Sequence, residues 1–73
     1  MSNNNLYELE NLLFKALELM KSNLDKNDFN DIDEYIKFGE YGVAYDLFIF
    51  ALDKLKISYP DELKLAGNLM NLN

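Results

Sequence analysis

A compact all-α bundle of about four helices is the fold this sequence predicts, on three observations. Apolar residues recur at three- and four-residue spacing through most of the chain, the pattern of helices that bury one stripe. Breaks are few, one Pro and three Gly. The stretches between periodic segments are short, which favours antiparallel neighbours in a bundle. With 73 residues there is room for a single domain, residues 1–73, and no repeat or low-complexity tract divides it.

The first helix is expected from about Asn5 to about Leu24, with one of Ser2 to Asn5 as its N-cap. Leu6, Leu9, Leu13, Ala16, Leu17, Met20 and Leu24 share one stripe, and Leu12, Phe14 and Leu19 widen it, so more than one neighbour should flank this helix. Asn23 to Asn27 reads as a loop. Asp28 is the expected N-cap of a short second helix over Phe29 to Phe38, with Phe29, Ile32, Tyr35 and Ile36 inward. Asp31 and Asp33 then fall in its first turn, where the helix dipole favours negative charge. Gly39 fits the left-handed position that ends many helices.

The third helix, about Glu40 to Ile57, is the most apolar. Tyr41, Ala44, Leu47, Phe48, Ala51, Leu52 and Leu55 form its inner face. Ile49, Phe50 and Ile57 make a second stripe between Asp46 and Asp53, which either packs centrally or meets a partner. Ser58 to Glu62 reads as a helix start, because Pro60 is tolerated in a first turn and Asp61 and Glu62 suit its dipole. The fourth helix should run from about Pro60 to Asn71 with Leu63, Ala66, Leu69 and Met70 inward. Gly67 costs up to about 1 kcal/mol inside a helix, so it is expected to permit a close helix approach.

Composition narrows the chemistry. There is no Cys and no His, which excludes disulfides and thiolate metal sites and removes the usual acid/base near neutral pH. Thr is also absent, and the three Ser sit where capping or solvent explains them. No Gly-rich phosphate loop exists, and without Arg there is no bidentate phosphate clamp. The acidic run from Asp25 to Glu34 superficially resembles a calcium loop, but Phe29, Asn30 and Ile36 stand where the motif needs an oxygen ligand, Gly and Glu. The expectation is therefore a protein without catalytic residues, metal or cofactor. The beginning of the chain lacks the basic and apolar regions of a signal peptide, and the longest apolar run, Leu47 to Leu52, is six residues. A bilayer span needs roughly 20, so a cytoplasmic protein is expected.

At this size folding buries only about 60% of the unfolded chain's surface, so packing must be good. The 49% hydrophobic content, with five Phe and five Tyr, supplies the means. Net charge is −6, from thirteen acids and seven lysines. Such a surface repels phosphate backbones and anionic membranes and favours a basic protein partner. The charge is local. Residues 25–46 hold seven acids against two lysines, −5 of the total −6. Tyr35, Phe38, Tyr41 and Tyr45 are interleaved there, so carboxylates could pair with a partner's cations while rings supply anchor area. The contact candidates are Asp31, Asp33, Glu34, Glu40, Tyr45 and Asp46, with Ile49 and Phe50 in reserve.

The stretch Tyr35-Ile36-Lys37-Phe38-Gly39-Glu40-Tyr41-Gly42-Val43-Ala44-Tyr45-Asp46-Leu47 resembles a signature of MafI-type and related helical immunity proteins of bacterial polymorphic-toxin and contact-dependent-inhibition systems. Gly39-Glu40-Tyr41-Gly42 followed by Ala44 carries the likeness. Val43 departs from it, since the family often has Leu there. The resemblance covers roughly residues 32 to 72. It implies a small helical protein that neutralises a cognate toxin domain, frequently a nuclease, and it does not identify the toxin. Its Gly residues read as structural, with Gly42 and Ala44 permitting close packing. The alternative expectation is a structural or adaptor module that self-associates through Ile49, Phe50 and Ile57.

Overall fold

The expected all-α bundle is what the chain forms. In the computed structural model, which describes residues 3–71, there are four helices and no strand among the described residues: α1 (Asn3–Leu19), α2 (Lys26–Lys37), α3 (Tyr41–Leu55) and α4 (Asp61–Leu69). α1 packs most extensively on α4, and α2 on α3, with smaller contacts joining the two pairs. The radius of gyration is 11.3 Å, close to the roughly 11 Å of a compact chain this long. Among the described residues no helix is long and apolar enough to cross a membrane.

Every helix contributes to one core. Leu13 and Leu17 of α1, Ile32 and Ile36 of α2, Phe48 and Leu52 of α3 and Leu63 of α4 are fully buried, each such burial being favourable by about 1.5–3 kcal/mol. Ala16, Ala44, Ala51 and Ala66 are buried among them, and their small side chains let the backbones approach. No described polar or charged residue is buried. Five residues expected on the buried stripes are instead exposed: Leu6, Leu19, Tyr35, Leu55 and Leu69. Leu6, Leu55 and Leu69 lie near helix ends, where the neighbouring helix no longer covers the stripe. Tyr35 lies at the edge of the buried stripe of α2, one turn from Asp31.

Turn chemistry moves the boundaries. α1 stops at Leu19, not Leu24, because the Met20 N–H turns to both the Ala16 and Leu17 carbonyls at 3.1 and 3.2 Å. The turn that follows still returns Leu24 to the core. α2 begins earlier than expected. Its N-cap is Asp25, whose Oδ1 accepts the Asp28 N–H at 2.8 Å, so Asp28 lies in the first turn and Asp31 and Asp33 lie beyond it. Leu24 and Phe29 then take the two positions of a hydrophobic staple and line one recess together. Of the residues expected to cap α1, Asn3, Asn4 and Asn5 lie within the helix and Ser2 lies outside the described residues.

Two helices close by the same device. Gly39 has φ +79°, its N–H donates to the Ile36 carbonyl at 3.0 Å, and the Glu40 N–H donates to the Tyr35 carbonyl at 2.9 Å. This is the Schellman arrangement expected of Gly39. Lys56, at φ 58°, ends α3 likewise, with the Ile57 N–H on the Leu52 carbonyl at 3.0 Å. The close approach expected of Gly67 is present. A Cβ there would stand 2.5 Å from the Tyr45 Oη and 2.9 Å from its Cζ, so the α3 ring lies against the bare α4 backbone. Gly42, by contrast, is exposed and faces open space, and the close packing expected there belongs to Ala44 alone.

Two stability predictions result. Gly67→Ala should lower the unfolding free energy measured by urea titration by about 1–3 kcal/mol, since overpacking the Tyr45 ring outweighs the helix-propensity gain. Tyr45→Phe, which removes the nearest atom, should recover part of that loss, and a stabilised Gly67→Ala would show that the ring moves freely. Asp25→Ala should cost about 1 kcal/mol in the same measurement through loss of the cap, and Asp28→Ala distinctly less.

Candidate protein-binding groove between α2 and α3

Helical spacing builds one flank of α2 from Asp28, Asp31, Glu34, Tyr35 and Phe38, all within three or four residues of a neighbour on the same side. On the facing edge of α3, Val43, Leu47, Phe50 and Lys54 recur at the same spacing. Between these edges run two adjoining recesses. One, of about 350 Å³, is lined by Asp31, Glu34, Tyr35, Phe38 and Leu47. The other, of about 130 Å³, is lined by Asp28, Asp31, Ile32, Leu47, Phe50 and Ala51. Asp31 and Leu47 belong to both, so the two form one groove. Phe38 and Phe50 stand at its ends and are 75% and 66% exposed, the values that mark them as unpacked anchors.

Of the six contact candidates, the groove takes in Asp31 and Glu34. Asp33 lies on the opposite flank, where the Lys37 Nζ pairs with its Oδ2 at 2.9 Å. The hydrogen bond to Asp33, with the charge beside it, holds the Lys37 amine above its ordinary pKa. Glu40 is exposed in the turn as the residue preceding α3, and its side chain makes no capping hydrogen bond. Asp46 is exposed on the outer side of α3, one turn before Phe50. Tyr45 is a correction: its ring is buried in the core against Gly67, because it shares the inner face with Phe48 and Leu52. In the reserve pair, Phe50 lines the groove, while Ile49 is half-buried against the core.

The carboxylates are not equally available. Lys54 Nζ lies 3.8 Å from the Asp28 Oδ2 and 5.5 Å from the Phe50 ring centre, which fills that end of the groove with a cation. Among the described residues, Asp31, Glu34, Glu40 and Asp46 have no cation within ion-pairing distance. Asp53, farther along α3, accepts the Tyr59 hydroxyl at 2.5 Å. That bond, more than burial, raises the Tyr59 pKa. Tyr41, beneath the turn, is pushed up chiefly by burial and then by Glu10. Among the described residues no three carboxylates converge on a point that could hold a metal. A recess of about 420 Å³ on α1 is lined by that helix alone, from Glu8 to Glu18, and mixes both signs of charge.

Sequence reasoning missed Leu47 as a groove residue and treated Tyr35 as inward. The signal was present, since Tyr35 and Phe38 follow Asp31 by four and seven residues. Phe38→Ser should leave stability within about 0.5 kcal/mol by urea unfolding, because the ring buries little. Phe48→Ala, in the core, should cost about 3–5 kcal/mol. A large loss at Phe38 would mean that the ring serves the fold.

No family model matches this chain, and no curated protein or solved structure matches it either.

Proposed function

We propose that this chain is an immunity protein, a non-catalytic inhibitor that binds a basic bacterial toxin domain in the cytoplasm. One observation carries the reading. The groove between α2 and α3 sets the carboxylates of Asp31 and Glu34, neither of them held in an ion pair among the described residues, beside the exposed rings of Tyr35 and Phe38. Aromatic anchors with adjacent charge are what a protein interface uses, and Phe38, 75% exposed at the mouth of the groove, has both. A nuclease site is basic because its substrate is anionic. An acidic inhibitor that occupies or overhangs it blocks substrate by volume and by charge. The net charge of −6 adds long-range attraction to the encounter.

Self-association is less well supported. Of Ile49, Phe50 and Ile57, the two isoleucines pack against the core and only Phe50 is exposed.

The test is co-expression with candidate basic toxin domains, starting with any encoded beside this gene, followed by pull-down at two salt concentrations. Capture should weaken markedly from about 0.05 M to about 0.5 M salt, as the screening length shortens. The Asp31→Asn/Glu34→Gln variant should lose growth protection while remaining folded. Binding that ignores both salt and this variant would overturn the proposal.

A further inference from the structure

Lys54 shows what chemistry the groove holds. Its amine sits between the Asp28 carboxylate and the Phe50 ring, at 3.8 and 5.5 Å, with a recess of about 130 Å³ beside it. The other end of the groove repeats the combination on a larger scale. About 350 Å³ is lined by two carboxylates, Asp31 and Glu34, and two rings, Tyr35 and Phe38. No cation of the described chain fills it. Lys37, the neighbour of Phe38 in sequence, is engaged with Asp33, and its charge reaches Glu34 only at longer range.

We infer that this open end is a receptor for one arginine side chain of a basic protein partner, its guanidinium stacked on Phe38 and hydrogen-bonded by Asp31 and Glu34. The inference rests on the reading of the groove as a binding surface and names the group it reads. A lysine amine is a compact charge, and one carboxylate and one ring serve it, as Lys54 demonstrates. A guanidinium is planar, presents five donors in a fork and stacks on aromatic faces, so it uses two carboxylates and a second ring. Asp31 and Glu34 are three residues apart on one helix, which places both on the same rim. Charge complementarity selects the sign of the occupant, and the number and arrangement of acceptors selects arginine.

The probes are blocked Gly-Arg-Gly, Gly-Lys-Gly and Gly-Gln-Gly tripeptides, titrated into the full chain while the aromatic ring signals are followed by NMR. The arginine peptide should produce saturable shifts at Phe38 and Tyr35, bind more tightly than the lysine peptide, and leave the Phe14 ring on α1 unmoved. The glutamine peptide should give no saturable shift. Phe38→Leu, at an exposed position, should weaken the arginine peptide about three- to five-fold, with helicity unchanged. Equal binding of the lysine peptide would overturn the choice of arginine. If Phe38→Leu keeps full affinity while Asp31→Asn/Glu34→Gln loses it, the ring receptor is wrong and the charge-based reading of the groove survives. If neither variant matters, both fall.

Discussion

The hydrogen bond from the Glu40 N–H to the Tyr35 carbonyl, 2.9 Å long, closes the turn on which the candidate site depends. It forms because Gly39 takes a left-handed conformation at φ +79°, one that costs other L-residues roughly 1–2 kcal/mol. The turn sends α3 back along α2. Ile32 and Ile36 are then buried in one core with Ala44, Phe48 and Ala51, where the small alanines allow α2 and α3 to pack closely. The groove is the outer margin of that contact. The stretch from Tyr35 to Leu47 thus builds the hairpin and also supplies Tyr35, Phe38 and Leu47 to the groove.

Acidity along the sequence and acidity at a surface are different quantities here. The excess in residues 25–46 is real, but α2 distributes it around its axis. Asp33 goes with Lys37 to one flank, and Lys54 answers Asp28 across the hairpin. Exposed pairs of this kind contribute little to stability. Their effect is on the pattern: among the described residues, they leave Asp31 and Glu34 as the groove carboxylates outside an ion pair. All thirteen acids still contribute to attraction at a distance, whereas contact falls to a few.

Periodicity made the four helices legible, because each has a stripe long enough to tell a 3.6-residue repeat from other patterns. It failed where turns mimic helical spacing. Met20 and Leu24 continue the α1 stripe although the chain has left the helix, since a turn also returns side chains every three or four residues. Asp25 and Asp28 are equivalent as caps by residue type, and only the Leu24–Phe29 staple separates them. At the site, helical arithmetic alone would have moved Asp33 away from Asp31 and placed Tyr45 with Phe48 and Leu52. The exposure of Phe38 was not legible, because it depends on where the neighbouring helix ends.

Phe38 is also the residue on which α2 terminates, and its backbone is tied down, with its N–H on the Glu34 carbonyl at 3.0 Å and the Gly39 closure immediately after. An aromatic ring mounted on an immobilised main chain has only two torsions left to lose when it is covered. Ordering costs of that kind subtract from the grip of a complex once formed, more than from the speed with which the molecules find each other. A rigid helix terminus carrying a bare ring therefore favours long residence of whatever settles on it.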